Sequence, residues 1–167
     1  LVFTRMKHSA DRVARKLESC GIKTGTLHSN RSQNQRLRAL KDFKSGVVRV
    51  LVATDIAARG IDVDGISHVV NYDFPMHSED YVHRIGRTGR AEHTGDAFTI
   101  MVAEEASHVF AIERFISQKI PRVKLENFDY RYTALFEEGK PGQQSAYSGG
   151  ARGVRVHGGY HFAPGRK

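Results

Sequence analysis

A chain of 167 residues with 26 Lys and Arg against 18 Asp and Glu carries a formal charge of +8 and an isoelectric point near 9.8, a balance that favours a polyanionic partner. Its single cysteine, Cys20, excludes an internal disulfide and any zinc site built from cysteines, and no apolar run is long enough to span a bilayer. The expected setting is reducing and intracellular, the cytoplasm by default, with no membrane partner.

The chain opens on Leu1-Val2-Phe3, an apolar run with no methionine and no signal-peptide features ahead of it, and so reads as a piece cut from something longer. From there to about Ser117, short apolar runs alternate with segments of helical period. Strands are predicted at Leu1 to Thr4, Lys23 to His28, Val48 to Ala53, His68 to Tyr72 and Ala97 to Val102. A first helix is predicted over Ser9 to Cys20, where Val13, Leu17 and Cys20 share a face and Gly21 ends it. A second covers Gln33 to Lys44, with Leu37, Leu40 and Phe43 on one face. Shorter helices fit Asp55 to Arg59 and Ser78 to Ile85, and a longer one fits Glu104 to Gln118. This alternation predicts an α/β fold, a parallel sheet flanked by helices, as one domain over residues 1–119. No internal repeat is visible.

In an open parallel sheet, ligands gather at the carboxyl ends of the strands. Thr4 and Arg5, the stretch His28 to Arg36, the stretch Thr54 to Asp62, and Asp73 to Pro75 all fall at such ends, so one edge of the sheet is the expected site.

The most informative stretch is residues 83–90, His-Arg-Ile-Gly-Arg-Thr-Gly-Arg. A guanidinium is a permanent forked donor suited to phosphate oxygens, and interleaved glycines let the backbone bend so that Arg87 and Arg90 converge on one anion. Taken alone, such a cluster is also compatible with a solvated basic face.

Val2-Phe3-Thr4, Gln33-Asn34-Gln35-Arg36, the run from Val52 to Asp62 (Val-Ala-Thr-Asp-Ile-Ala-Ala-Arg-Gly-Ile-Asp) and Tyr81-Val82 leading into the octet resemble, in order and with ordinary spacing, the second helicase domain of the DEAD-box RNA helicases. The resemblance covers about residues 1 to 117. His83 at the head of the octet is similar to the DEAD-box version, where related helicase and chromatin-remodelling families usually place glutamine. The implied fold is RecA-like, and the implied activity is that of an ATP-dependent RNA helicase of which this chain is the C-terminal half. Two other readings remain: a non-catalytic RNA-binding module that retains the fold, and a DNA-unwinding relative.

The resemblance assigns roles residue by residue. Arg87 and Arg90 match arginine fingers that reach the γ-phosphate of ATP bound on the other domain, where a desolvated guanidinium stabilises charge in phosphoryl transfer. Asp62 matches the carboxylate that contacts the nucleotide ribose; taken alone it would read as a helix cap or surface acid, and Gly60 beside it as a turn residue. Thr4, Arg5, Arg36 and Thr54 match positions that grip the RNA sugar-phosphate backbone, as contacts that carry no sequence information. Gln33 and His83 match a pair that links motifs. The family usually has glycine after the histidine of the second loop, whereas this chain has Ser29 after His28.

Neither a Gly-x-x-x-x-Gly-Lys-Thr phosphate loop nor an Asp-Glu-Ala-Asp box is present in the sequence. ATP with Mg2+ would therefore be held mainly by the missing N-terminal domain of the same protein, the implied partner besides RNA in duplex and single-stranded form. The chain by itself is expected to be inactive, with no metal site of its own.

Residues 120–167 read as an extension and a basic glycine-rich tail. Gly139 to Lys167 holds eight of the sixteen glycines and five Lys and Arg without one Asp or Glu, too little apolar content for a core. It is expected to be a disordered segment, either a linker or an accessory RNA tether.

Overall fold

The computed structural model describes residues 1–61, 63, 65–89, 94–123, 125, 126, 128 and 156–162. The strands are β1 (Val2–Thr4), β2 (Thr24–Leu27), β3 (Val50–Thr54), β4 (His68–Asn71), β5 (Gly95–Met101), β6 (Arg122–Val123) and β7 (Val156–Phe162). Helices α1 (Lys7–Ser19), α2 (Gln33–Lys44), α3 (Asp55–Ala58), α4 (Ser78–Ile85) and α5 (Ala106–Ile116) connect them, the last entered through a 3-10 turn at Ala103–Glu105. The sheet order is β2-β3-β1-β4-β5-β7-β6, and β1 to β5 are mutually parallel. The expected RecA-like parallel sheet with helices on its faces is thus observed, and the first strand of the chain lies inside it.

Central parallel strands are buried on both faces, and their sequences are correspondingly dominated by apolar residues, with polar ones at the strand ends. In β3, Leu51, Val52 and Ala53 are all fully buried, yet they serve different layers. Leu51 and Ala53 join Phe3, Val69, Ala97 and residues of α3, α4 and α5 in the main core. Val52 points the other way and packs against Ala10, Val13 and Ala14 of α1. Alternation of side chains along a strand accounts for the split.

The first two predicted helices behave differently. Helix α1 begins at Lys7, two residues ahead of the predicted start, and its first turn receives no side-chain cap from Met6. Cys20, expected on its buried face, is exposed: it falls just past the helix end, where the chain turns through Gly21 at φ +77. Helix α2 has the predicted bounds and a capping box, with the Gln35 N–H donating to Ser32 Oγ at 3.3 Å and the Ser32 N–H donating to Gln35 Oε1 at 2.9 Å. It contains no fully buried residue; Leu37 is 55% exposed, while Ala39, Leu40 and Phe43 lean on the core from its second half.

Beyond α5 the sheet gains two antiparallel strands that periodicity did not signal. Of the tail expected to lack a fold, the structure describes only Val156–Phe162, which pairs with β5 from Gly95↔Phe162 to Met101↔Val156 and with β6. Backbone ladders need no apolar side chains, which is why a glycine-rich segment such as Val-His-Gly-Gly-Tyr-His-Phe carries little strand signal. The extension is also tied to α5 through Glu113, a buried acid that accepts from the Ile120 N–H at 2.9 Å, Arg122 Nη1 at 2.8 Å and Lys119 Nζ at 3.4 Å. Burial pushes this carboxyl up, but those donors outweigh it and hold its pKa below the ordinary glutamate range. No helix among the described residues is long and apolar enough to cross a membrane.

Candidate functional site

The carboxyl ends of β1, β3 and β4 meet at one edge, and α4 lies across it. The octet at the end of α4 divides by depth. Arg84 points inward and is only 3% exposed. Its Nε and Nη2 donate to the two carboxylate oxygens of Asp55 at 2.6 and 2.7 Å, and its Nη1 reaches the Asp73 carbonyl at 2.8 Å and Asn71 Oδ1 at 3.3 Å. The guanidinium also sits 5.3 Å from the Phe3 ring centroid. One arginine thereby joins the end of β3, the end of β4 and α4, a fork-on-carboxylate arrangement suited to a buried pair. In the sequence Arg84 is only one of three arginines in residues 83–90, and nothing there gives Asp55 a role. The two stand 29 residues apart, so no local spacing connects them.

The turn after α4 is packed from below. The buried Thr88 hydroxyl donates to the Ile66 carbonyl, and Gly95 at the start of β5 lies against it. A Cβ on Gly95 would come within 1.8 Å of Thr88 Oγ1 and 2.8 Å of the Gly89 nitrogen, so this glycine is required by close approach.

Above this floor is a cleft of about 250 Å3 bordered by Asp55, Arg59, Gly60, His83, Arg84 and Arg87. Arg87 Nη1 donates to the Ile61 carbonyl at 2.9 Å, which draws the octet against the loop after α3. Gly60 has φ +75 and open space where a Cβ would stand, so it is required by backbone conformation and not by crowding. His83 is exposed at the rim. Asp62 and Arg90 lie outside the described residues. Arg87, Gly60 and His83 are therefore brought together around one cleft. Volume alone does not mark this place, because other openings of about 400 Å3 occur beside α1 and α5; the three arginines Arg59, Arg84 and Arg87, set against Asp55 and Asp80, do.

The residues matched to RNA backbone contacts occupy the neighbouring stretch of the same edge. Thr4 is fully buried, with its hydroxyl donating to the Met6 carbonyl at 3.3 Å, so its side chain shapes the β1–α1 loop from within and presents no hydroxyl to solvent. Arg5 is anchored across that loop: its N–H donates to Asp73 Oδ2 at 2.9 Å and its Nη2 to the Phe74 carbonyl at 3.1 Å. Thr54 is half-buried at the start of α3 and makes no cap hydrogen bond. Gln33 and Arg36 share the first turn of α2, 3.4 Å apart between Gln33 Oε1 and Arg36 Nη1, while the buried Nε of Arg36 finds no hydrogen-bond partner among the described residues. Gln33 thus meets Arg36 on its own helix; no contact with His83 is observed.

A further cluster braces the loop that leads into α2. Asp11 on α1 accepts from His28 Nε2 at 3.0 Å and from Arg31 Nη2 at 2.7 Å, and Arg31 Nε donates to Thr26 Oγ1 at 3.0 Å. Burial raises the Asp11 pKa, but the hydrogen bonds and charges of His28 and Arg31 outweigh it and leave the carboxyl below the ordinary aspartate range. Neither Asp11 nor Arg31 is singled out by the sequence motifs.

Residues 1–92 match the helicase conserved C-terminal domain family, more than half of the chain. The chain belongs to that family. This helicase domain is 44% identical over 129 residues to the DEAD-box ATP-dependent RNA helicase CshA of Geobacillus kaustophilus, covering 77% of the chain and 28% of the relative. It is 39% identical over 174 residues to the ATP-dependent RNA helicase RhlB of Shewanella frigidimarina, covering 99% and 39%. The chain spans only these minor parts of both relatives. Among solved structures it resembles E. coli DEAD-box protein SrmB bound to regulator of ribonuclease activity A, with a TM-score of 0.67, 39% identity and coverage of 71% and 69%. A DEAD box protein from Methanococcus jannaschii gives a TM-score of 0.69, 41% identity and coverage of 74% and 34%. The domain is therefore a RecA-like helicase C-terminal domain of DEAD-box type, as its motifs indicated.

Proposed function

We propose that the whole protein is an ATP-dependent RNA helicase in which this domain completes an ATP site begun on the N-terminal RecA-like domain and grips part of the RNA backbone. The observation that carries the reading is the division of labour in the octet. Arg84 fixes the floor from within, while Arg87 is drawn to the Ile61 carbonyl beside Gly60 on the wall of the cationic cleft.

In this proposal Arg87 and Arg90 act as arginine fingers on the γ-phosphate, and Gly60 and Asp62 receive the ribose side of the nucleotide. A guanidinium in a water-poor cleft stabilises negative charge that spreads over the phosphoryl oxygens in the transition state. His83 and Gln33 are assigned to linking motifs rather than to touching substrate. Mg2+ is assigned to the N-terminal domain.

RNA backbone is assigned to the stretch formed by Arg5, Thr54, Arg36 and the loop built around Thr4. Arg36 supports this most directly, because its guanidinium is held by a long 3.4 Å hydrogen bond to Gln33 Oε1 on the same helix turn and can turn its fork to a phosphate oxygen. Such contacts serve duplex and single strand alike.

The test is ATP turnover by the full-length protein carrying Arg87→Ala or Arg90→Ala. RNA affinity should stay within about twofold while turnover falls on the order of a thousandfold, the scale of other arginine fingers. Near-normal rates in both variants would return the octet to a surface basic patch.

A further inference from the structure

The first turn of α2 carries Gln33 and Arg36, yet the main core does not hold it. The residues of α2 that lean on that core, Ala39, Leu40 and Phe43, all belong to its second half. Loop 28–32 leads into the first turn, and its tertiary attachments run to α1. His28 is 1% exposed and gives its Nε2–H to Asp11; Arg31 spans from Asp11 to Thr26 Oγ1; Lys7 Nζ donates to Asn30 Oδ1 at 2.9 Å. Ser32 then caps the helix. Asp11 holds two members of this loop at once, and the other ring nitrogen of His28 has no partner among the described residues to replace it.

We infer that Asp11 is a positioning residue of the RNA track, acting through His28 and Arg31 to set the loop that launches α2 and so to aim Arg36. The inference rests on the proposed role of Arg36 in gripping RNA backbone. An acid is an unexpected aid to binding a polyanion, which makes the sign of its effect decisive. If Asp11 acted only through its charge, its removal would raise local positive potential and strengthen RNA binding. If it acts by position, removal weakens binding despite the gain in positive charge. A purely structural role would instead lower the fraction of active protein, and with it turnover at every RNA concentration.

The experiment uses the full-length protein with Asp11→Ala, Asp11→Asn, Arg36→Ala and the double variant Asp11→Ala with Arg36→Ala. Binding of a labelled oligouridylate is titrated, and ATP turnover is followed against RNA concentration. Asp11→Ala should weaken binding about tenfold, the scale of one charge-assisted anchor lost, and raise half-saturating RNA equally. Turnover at saturating RNA should stay within about twofold. Asp11→Asn, which keeps the shape and one acceptor oxygen, should fall between wild type and alanine. The double variant should bind little worse than Arg36→Ala alone, because the two residues act in series. Unchanged or tighter binding by Asp11→Ala, additive losses in the double variant, or lost turnover at saturating RNA would each overturn the inference. Should Arg36→Ala itself leave binding intact, the proposed RNA role fails and the inference with it, an outcome distinct from an Asp11 failure alone.

Discussion

Arg84 and Arg87 stand three residues apart in one motif, and the structure uses them for opposite purposes. Arg84 lies under the cleft, saturated by Asp55, Asn71 and the Asp73 carbonyl; Arg87 lies on the cleft wall, drawn to the Ile61 carbonyl by a bond of 2.9 Å. Two identical side chains therefore divide into one that holds three elements together and one that lines the cleft. The difference teaches that a conspicuous basic motif is not a uniform patch. Its helical part turns Arg84 into the fold, while Arg87, past the helix end at Ile85, lines the cleft wall.

The sharpest way to break this comparison is to remove each arginine and follow stability. Arg84→Ala leaves the Asp55 carboxylate facing a buried void and strips donors from the acceptors at the ends of two strands. Since Asp55 keeps some solvent contact, the loss should be about 3 kcal/mol, at the low end for a broken buried pair. Arg87→Ala should change stability by less than about 1 kcal/mol, the scale of an ordinary hydrogen bond. Urea unfolding of the 1–167 chain measures both; equal losses would erase the distinction.

The floor beneath the octet can be disturbed without touching either arginine. Gly95→Ala forces a methyl against Thr88 and the Gly89 nitrogen, and the turn must shift to admit it. Overpacking of this kind should destabilise the chain by about 2 kcal/mol. Amide exchange at Thr88 and Gly89 should accelerate, and unaltered exchange there would mean the turn is not held from below.

A smaller effect than that of Gly95 comes from a second buried charge, remote from the cleft. Glu113 has its folded-state pKa depressed, so its stabilising contribution is complete above the unfolded glutamate value, about 4.3, and is lost as pH falls through the lower folded value. Glu113→Gln should lower stability by about 1 kcal/mol at pH 7. The gap to wild type should shrink as pH drops below about 4. A gap constant from pH 7 to 3 would show that the carboxylate charge contributes nothing.

Much of the domain is readable from the chain alone. Helices Gln33–Lys44 and Ser78–Ile85 have their predicted bounds, since Ser32 caps the first and Gly86 stands directly after the second. The parallel strands lie within about two residues of prediction, because apolar runs bounded by polar loops mark them directly. Periodicity misjudged Leu37 and Cys20, because a stripe of apolar spacing reports which residues share a side and not whether anything covers that side. Of the site, the motifs single out Arg87, Gly60 and His83 separately, and the fold brings the three to one cleft. The motifs did not foretell Arg84 with Asp55, Glu113 with Arg122, or Asp11 with His28 and Arg31, since ion pairs between distant segments have no signature until the fold brings them together. Thr4 carries a related lesson: a polar residue at a strand end can be spent entirely inside the loop it shapes.

The place of β1 has a mechanical consequence. It is the first strand of the chain, yet it is flanked on both sides, by β3 and by β4, with the Leu1 nitrogen bonded to the His68 carbonyl at 2.9 Å. A tension applied to the chain at this end runs along β1, across hydrogen bonds that lie transverse to it on either side. Such a pull must shear both ladders together and cannot peel them one bond at a time. The strand is thereby placed to pass mechanical strain into the middle of the sheet, and from Thr4 and Arg5 directly to the edge where the clustered arginines lie.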